Sequence, residues 1–326
     1  MPHLNALELH GFRGIREGKL EGLADANILV GRNNSGKTTV LEALARLGSR
    51  MAQWTGLTPI LGREPAQPWL AARNESSSNA AELWYRGGQK AAFQVKAQMA
   101  GGSLEWTVPH LADPQSGHVQ VQEGSYQDCA AVLHAAGSFR PADAANRELE
   151  ARLWEAHVLP TRADKPVLDA LRDVFGLEVE QLQLPSSGRA ILVFPDHSLP
   201  LDVFGDGVRS AVRLLLVLAV LRGTLLSIEE PESHQHAGSL RKLARVLCEL
   251  AWAQDVQLLV STHSLECVRA FLDAGAELPA QQRPFETALF HLTLDQGCLV
   301  ARKLSAETTH MLERTGVDPR MLDLYA

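Results

Sequence analysis

The sequence predicts an α/β fold with a mixed central sheet, and three features of the 326-residue chain indicate it. A glycine-rich loop, residues 31–38, lies between an apolar run and a helical pattern. Two later apolar runs, Leu225–Ile228 and Val256–Val260, predict buried strands. An amphipathic helical pattern separates these two runs, and a crossover helix implies that the strands on either side of it are parallel.

Composition and charge narrow the class of protein. Apolar residues make up 45% and charged residues 21% of the chain, which is typical of a globular protein. The net charge of −7 weighs against a dedicated nucleic-acid binder, although a local basic patch would be compatible with it. The amino terminus lacks the layout of a signal peptide, and the longest apolar run, Leu214–Leu221, is too short to span a bilayer. No C-x-x-C pair occurs among the cysteines, which favours reduced thiols in a cytoplasmic protein with no zinc site: Cys129, Cys248, Cys267 and Cys298.

The glycine-rich loop matches the phosphate-binding pattern G-x-x-x-x-G-K-[ST] at every specified position. Gly31 and Gly36 allow successive backbone N–H groups to point at a phosphate. Lys37 bridges the terminal phosphates of such a ligand, and the Thr38 hydroxyl is a ligand for Mg²⁺. A strand over Asn27–Val30 and a helix from Thr39 give the loop its required context. The sequence therefore predicts a nucleoside triphosphate site formed by Gly31, Asn33, Asn34, Ser35, Gly36, Lys37, Thr38 and Thr39.

Acidic residues and a histidine follow the two later strands. We expect Glu229 to hold Mg²⁺ directly or through water, and Glu230 to orient or deprotonate the attacking water. An acidic pair alone is more often solvated charge, but a phosphate loop upstream favours catalysis. His263 ends the second strand at the sheet edge where open α/β folds bind ligands, so it can reach a γ-phosphate as a hydrogen-bond donor.

A second glycine-containing turn, Gly205-Asp206-Gly207, precedes a predicted buried helix over residues 208–222. Exposed N–H groups at a helix N-terminus bind phosphate, so this turn is a second candidate phosphate-binding element. A simple helix cap is the alternative. The position of the turn just before the Glu229–Glu230 strand favours the phosphate-binding interpretation.

The middle of the chain predicts an insertion. We assign residues 1–54 and 186–326 to a nucleotide-binding core, and residues 55–185 to an antiparallel β-meander with a helical subdomain. Short alternating runs separated by Gly-Gly turns indicate the meander, at residues 83–86, 93–99 and 104–108, with Val119 and Val121 in a fourth strand.

Helix and hairpin patterns complete the prediction. One helix is expected from Asn146 to His157, and another from Asp164 to Phe175 that stops at Gly176. A hairpin over residues 289–304 and a helix around residues 307–315 are expected near the carboxyl end.

The motif order resembles an ABC-type ATPase of the SMC-like group. Within that group the sequence is most similar to the ATPase domain of the OLD (overcoming lysogenization defect) family and to related AAA-labelled ATP-binding proteins. The segments that carry the resemblance span nearly the whole chain: Phe12-Arg13-Gly14-Ile15, Gly31–Thr39, Phe204–Arg209, Ile228–Glu232, His236 and Ser261–Ser264.

The resemblance implies a P-loop NTPase fold of the ABC/SMC-head type and an ATPase that forms a head-to-tail homodimer around Mg·ATP. Asp206 departs from the pattern because many relatives carry Ser there, and an anionic side chain facing a γ-phosphate is unfavourable unless the backbone N–H binds it. The segment Ser233–Ala237 also departs, since relatives have a hydrophobic residue before the His and Pro after it. The Gln-bearing loop is not placed; Gln89, Gln94 and Gln98 are candidates. One protomer would contribute Lys37, Thr38, Glu229, Glu230 and His263, and the other Gly205, Asp206 and Gly207.

Partners and pathway follow from the resemblance alone. Many OLD-type proteins continue into a Toprim nuclease domain, which we do not expect within these 326 residues. Related two-component systems, often anti-phage, use a separate effector protein. Two alternatives stay open: a DNA-binding repair ATPase resembling the RecF group, and a nucleotide-sensing scaffold with little turnover. ATP turnover measured with and without DNA separates them.

Overall fold

The computed structural model of the protein describes residues 3–55, 92–108, 118–122, 124, 135–136, 154–184, 189–278 and 284–324. The predicted strand at residues 83–86, the candidate Gln89 and most of the predicted helix from Asn146 to His157 lie outside these ranges. Within them, residues Trp154–Val158 form a π-helical turn that runs into the short helix Leu159–Thr161.

Within these ranges, one mixed sheet of eleven strands organises the fold. The strands are β1 (Leu4–Phe12), β2 (Ile15–Glu21), β3 (Ala26–Val30), β4 (Phe93–Met99), β5 (Gly102–Val108), β6 (His118–Gln122), β7 (Ala135–Ala136), β11 (Thr224–Glu229), β12 (Val256–Ser261), β13 (Thr287–Asp295) and β14 (Cys298–Ser305). They occur in the spatial order β6-β5-β4-β1-β2-β14-β13-β3-β12-β11-β7. Strands β7, β11, β12, β3 and β13 are parallel, and the other half of the sheet is largely antiparallel.

A second, three-stranded antiparallel sheet consists of β8 (Gln181–Gln183), β9 (Ile191–Val193) and β10 (Ser198–Pro200). The longer helices are α1 (Lys37–Thr55), α2 (Asp164–Phe175), α3 (Asp206–Val220), α4 (Ala237–Ala253), α5 (Leu265–Glu277) and α6 (Ala306–Arg314), and 3-10 turns occupy Leu201–Val203 and Pro319–Leu324.

The large sheet is buried on both faces. Leu225 of β11 belongs to a hydrophobic cluster that contains α1 and the antiparallel strands. Its neighbour Leu226 belongs to the cluster that contains α2, α3, α4 and α5. Successive strand residues point to opposite faces, so this alternation places helices on the two sides of one sheet.

The predicted parallel arrangement is confirmed. Strand β12 pairs in parallel with β11 and with β3, and α4 connects β11 to β12. The helix predicted from Asp164 to Phe175 has those bounds, and it ends because Gly176 adopts φ 68°, a left-handed conformation that glycine tolerates. Among the residues that the structure describes, no helix is both long enough and apolar enough to cross a membrane.

The predicted meander extends the central sheet. Strands β4, β5 and β6 are antiparallel to one another, as expected, but β4 also pairs with β1. Phe93 and Trp106 of the meander pack edge to face, with ring centroids 4.9 Å apart, and both contact Phe12 of β1. The strands of the predicted insertion therefore share a sheet and a core with the helix that follows the phosphate loop.

The C-terminal hairpin supports the phosphate loop from behind. Strands β13 and β14 are antiparallel over residues 288–305, which confirms the predicted hairpin. Strand β13 also pairs with β3, and a Cβ on Gly31 would lie 2.3 Å from the carbonyl oxygen of Leu292. Only glycine fits this close approach, so the hairpin fixes where the loop begins.

Candidate nucleotide site

The phosphate loop connects β3 to α1 through a tight backbone turn. Gly31 and Gly36 have φ of 141° and 93°, and Asn34 has φ of 64°. Residues other than glycine rarely adopt such positive φ values, although asparagine does so more often than most. Ser35 donates its N–H to the carbonyl of Arg32, which closes the turn. The loop backbone thus has the glycine-dependent conformation that the sequence pattern requires.

Lys37 is enclosed by its own loop. Its Nζ donates to the carbonyl oxygens of Gly31 at 2.8 Å and Arg32 at 2.9 Å, and Ser35 Oγ lies 3.5 Å away. Burial lowers the pKa of Lys37 to about 8, and the charges of Glu230 and Glu229 oppose that shift. A partly desolvated ammonium of this kind gains from an anionic partner, because burial without one disfavours its charged form.

Thr38 joins the phosphate loop to the acidic strand. Its hydroxyl donates a 2.5 Å hydrogen bond to Oε1 of Glu229, the last residue of β11. The two side chains therefore present two hard oxygen atoms at one point. No cluster of three or more His, Cys, Asp and Glu residues that could hold a metal ion occurs in the described part of the chain. The Thr38 hydroxyl and the Glu229 carboxylate nevertheless fit Mg²⁺, because this ion commonly takes few protein ligands and completes its coordination shell with phosphates and water.

Glu230 begins a turn at the end of β11. Its N–H donates to the carbonyl of Ser261 at 2.8 Å, so the ends of β11 and β12 stay in register one residue beyond the ladder. The residue has φ of 48°, and its side chain is exposed at the same strand edge as Glu229. A carboxylate there is accessible to water and to a ligand held by the phosphate loop.

His263 follows β12 and belongs to the same cluster of charges. Burial is the main cause that lowers the pKa of His263, and the positive charge of Lys37 adds to the shift. Glu230 and Glu232 oppose it, and Arg320 reinforces it. The imidazole is therefore biased towards its neutral form, which retains one N–H donor.

The turn Gly205-Asp206-Gly207 lies at the start of α3 and contacts a different part of the chain. Gly207 accepts a 2.8 Å hydrogen bond at its carbonyl from Nε2 of Gln235, and Asp206 Oδ1 accepts one of 2.7 Å from Arg209. Among the contacts of the described residues, none joins this turn to Lys37 or Thr38. Within the chain, the structure brings the phosphate loop, Glu229, Glu230 and His263 together and leaves the turn outside that group.

Sequence reasoning missed several residues that hold the site. Glu232 bonds to the His263 segment, Arg320 donates to the carbonyl of His263 at 2.7 Å, and Asp323 pairs with Arg32 of the phosphate loop at 2.9 Å. The Pro-Glu that follows Glu229–Glu230 was a local signal for Glu232, whereas no local pattern marks Arg320. Of the glutamine candidates, Gln94 donates to Glu105 between β4 and β5, and Gln98 pairs with Ala6 in the sheet.

Comparison with known proteins gives sequence matches to parts of the chain. A protein family described as "AAA domain, putative AbiEii toxin, Type IV TA system" matches residues 161–269, about a third of the chain. An uncharacterized protein of Methanocaldococcus jannaschii is 28% identical over 117 residues, which cover 36% of this chain and 98% of that protein. An OLD nuclease of Thermus scotoductus is 38% identical over 74 residues, which cover 21% of this chain but only 14% of the nuclease.

Structural comparison covers nearly the whole chain. A crystal structure of an SMC head bound to the C-winged helix domain of ScpA matches with a TM-score of 0.60 and 13% identity, over 95% of this chain and 100% of the other. The fold is therefore that of an ABC/SMC-type head built on a P-loop. Parts of the chain are thus similar in sequence to that AAA family and to an OLD nuclease, and the fold is similar to that of an SMC head.

Proposed function

We propose that the protein binds Mg·ATP and hydrolyses it to ADP and phosphate. The observation that carries the proposal is the hydrogen bond between Thr38 and Glu229, because it joins the phosphate loop to the acidic strand end. Glu230 and His263 lie at the ends of the two adjacent parallel strands. The groups needed to bind a triphosphate and to activate water thus stand at one edge of the sheet.

Each residue has a defined role in this proposal. Lys37 leaves the carbonyls of its loop and contacts the β- and γ-phosphates, and the loop N–H groups bind the same phosphates. Thr38 and Glu229 would hold Mg²⁺, which when bound neutralises charge on the phosphates. Glu230 orients the attacking water and accepts its proton as the water oxygen bonds to the γ-phosphorus and the bond to ADP breaks. Neutral His263 donates a hydrogen bond to the γ-phosphate.

The proposal includes a head-to-tail homodimer in which Gly205, Asp206 and Gly207 of one protomer complete the site of the other. The N–H groups of Asp206 and Gly207 precede the first hydrogen bond of α3, in which Val208 donates to the Gly205 carbonyl, so they can bind a phosphate oxygen. The Asp206 carboxylate pairs with Arg209, and this pairing offsets the repulsion that an unpaired anion would exert on the γ-phosphate. The ion pair makes the turn compatible with a bound γ-phosphate.

We propose that the partner is a separate effector protein with an activity of its own, and that the two proteins act in anti-phage defence. The matched AbiEii-type family and the OLD nuclease support the setting, and the ScpA-bound SMC head supports a partner of this general kind. The net charge of −7 argues against the alternative of a DNA-activated repair ATPase. The cytosol remains the proposed compartment because Cys248, Cys267 and Cys298 are free thiols.

Release of phosphate from ATP tests the proposal. The wild-type protein with Mg²⁺ should turn over ATP, and Lys37→Ala and Glu230→Gln should not. Addition of duplex or single-stranded DNA should leave the rate unchanged. A wild-type rate no higher than that of Lys37→Ala would sink hydrolysis, and ATP binding without turnover would support the scaffold. A rate that rises several-fold with DNA would support the repair ATPase.

A further inference from the structure

The chain folds back on itself immediately after Glu230. Glu230 and His234 both have left-handed backbone conformations, with φ of 48° and 67°. Ser233 donates its N–H to the carbonyl of Glu230 at 3.0 Å, and Gln235 donates to the carbonyl of Glu232 at 2.9 Å. Such values of φ are costly for residues other than glycine, so two of them in five residues indicate that the surrounding contacts impose this turn.

The turn brings Glu232 against the segment that carries His263. Oε1 of Glu232 accepts a hydrogen bond of 2.5 Å from the Thr262 hydroxyl and one of 3.2 Å from the His263 N–H. The same hydroxyl accepts from the Ser264 N–H at 2.9 Å, and Ser264 caps α5. One carboxylate oxygen therefore fixes three consecutive residues at the end of β12.

Glu232 is partly buried where it meets this segment. Its Oε2 is buried, and Thr262 is fully buried. Burial raises the pKa of the neighbouring Cys267 thiol, and the Glu232 charge raises it further. Charge-assisted hydrogen bonds are stronger than neutral ones and gain strength at low dielectric, so the contacts of Glu232 hold the His263 backbone firmly.

We propose that Glu232 is a positioning residue that sets the distance between His263 and Glu230 in the hydrolytic site. The inference rests on the proposed function. Beyond the last ladder pair, Glu229 with Ser261, the ends of β11 and β12 are tied by the Glu230 N–H and by Glu232. Arg320 holds the opposite side of the His263 backbone through its carbonyl. Glu232 itself does not contact the nucleotide.

The decisive measurement separates kcat from KM in Glu232 variants. Glu232→Ala removes both hydrogen bonds, so kcat should fall about tenfold to a hundredfold, as expected for a misplaced catalytic group. KM for ATP should stay within about twofold, because Lys37 and the phosphate loop are untouched. Glu232→Gln keeps an oxygen acceptor and should retain most of kcat. Glu266→Ala, at an exposed position in the first turn of α5, is the matched control and should behave as wild type.

A double mutant tests whether Glu232 acts through His263. In a His263→Ala background, Glu232→Ala should lower kcat by less than about twofold, because the two changes affect one function. Equal losses in both backgrounds, or a kcat of Glu232→Ala equal to that of wild type, would overturn the inference.

Two further outcomes are distinguishable. If Glu232→Ala does not fold, as judged by its melting temperature, Thr262→Val replaces it. That change removes the hydroxyl that donates to Glu232 and accepts from the Ser264 N–H. It should lower kcat about threefold with unchanged KM, and an unchanged kcat would overturn the inference. Where the wild-type protein hydrolyses ATP no faster than Lys37→Ala, the proposed function fails and takes the inference with it. Where wild type is active and both Glu232→Ala and Thr262→Val match it, only the inference fails.

Discussion

A Cβ atom on Gly207 would lie 2.6 Å from the backbone carbonyl oxygen of His234. The start of α3 is thus packed against the turn that follows Glu230, and Gln235 adds a hydrogen bond to the Gly207 carbonyl. A substitution at Gly207 therefore disturbs the fold of its own protomer. Gly205 is different, since no atom would lie within 4 Å of a Cβ there and its φ is −60°.

The first prediction compares these two glycines. Gly207→Ala should lower the free energy of unfolding by about 1–3 kcal/mol, because the new methyl group meets a backbone atom. Gly205→Trp should leave stability within about 1 kcal/mol and abolish ATP-dependent dimerisation by blocking the partner's phosphate. Urea denaturation measures the stability, and light scattering in the Glu230→Gln background measures the mass. A Gly205→Trp protein that still dimerises with ATP would refute the head-to-tail arrangement.

The second prediction concerns Glu230→Gln. The change keeps the shape of the side chain but removes the base, so kcat should fall about 100-fold or more. ATP affinity should stay within about threefold, and ATP should shift the mass from monomer to dimer because hydrolysis no longer releases the ligand. The exposed Glu266→Gln is the control, and a mutant that turns over normally would show that Glu230 is not the base.

The third prediction concerns nucleotide binding. Lys37→Ala removes the buried ammonium of the loop and should weaken Mg·ATP binding by about 2–5 kcal/mol, which is roughly 30-fold or more. Titration calorimetry gives the dissociation constant. Lys19→Ala is the matched control, because Lys19 is an exposed residue of β2 that pairs with Glu8 and Glu21. Unchanged affinity in Lys37→Ala would contradict the assignment of the loop.

The fourth prediction concerns acid stability. Burial lowers the pKa of His291, and of His263, from the ordinary value of 6.5. The folded state then binds protons at these histidines more weakly than the unfolded chain does. Above about pH 6.5 the free energy of unfolding therefore has its full value, and it falls as the pH drops through the lowered pKa values of the two histidines. Near His291, the Arg320 carbonyl and Asp323 favour its charged form, while Arg302 and Arg32 disfavour it.

Thermal denaturation at about pH 7.5 and about pH 5.5 measures this effect. His291→Gln should lose less stability between the two values than wild type does, and the exposed His10→Gln should lose as much as wild type. Identical losses in His291→Gln and wild type would show that this histidine does not contribute.

The fifth prediction concerns the aromatic cluster between the meander and β1. Trp106 is buried against Phe93 and Phe12. Trp106→Ala should therefore cost about 3–5 kcal/mol of unfolding free energy through lost burial and a cavity. Because the cluster lies in the same core as α1, the loss should also appear as weaker Mg·ATP binding at physiological temperature. Trp106→Phe is the conservative control and should lose less than half as much.

The parts of this molecule that follow local patterns could be predicted from the sequence. The phosphate loop, the parallel strands β11 and β12, the helix Asp164–Phe175 and the C-terminal hairpin each depend on spacing within a few residues. The pairing of β4 with β1 joins residues more than eighty positions apart in the sequence. The alternation of apolar and polar residues predicts a strand but does not indicate which other strand it pairs with. The domain division at residues 55–185 therefore remains a prediction.

The contacts that hold the site residues in place were harder to predict for the same physical reason. Glu232 meets Thr262 from a turn in which Glu230 and His234 adopt left-handed conformations, which no residue type in the turn requires. Arg320 meets the His263 carbonyl across 57 residues of sequence. Backbone carbonyls carry no sequence signal, so contacts to them become visible only in three dimensions.

The unbroken strand order from β6 to β7 has a mechanical consequence. Every strand of the described sheet is hydrogen-bonded to the next, so continuous ladders join its antiparallel half to its parallel half. Rotation of one half against the other would break strand ladders, at a cost far above that of moving a loop. ATP-driven movement should therefore start in the turns beyond the strand ends, and a signal to a partner must leave the molecule through them and through the helices that they begin.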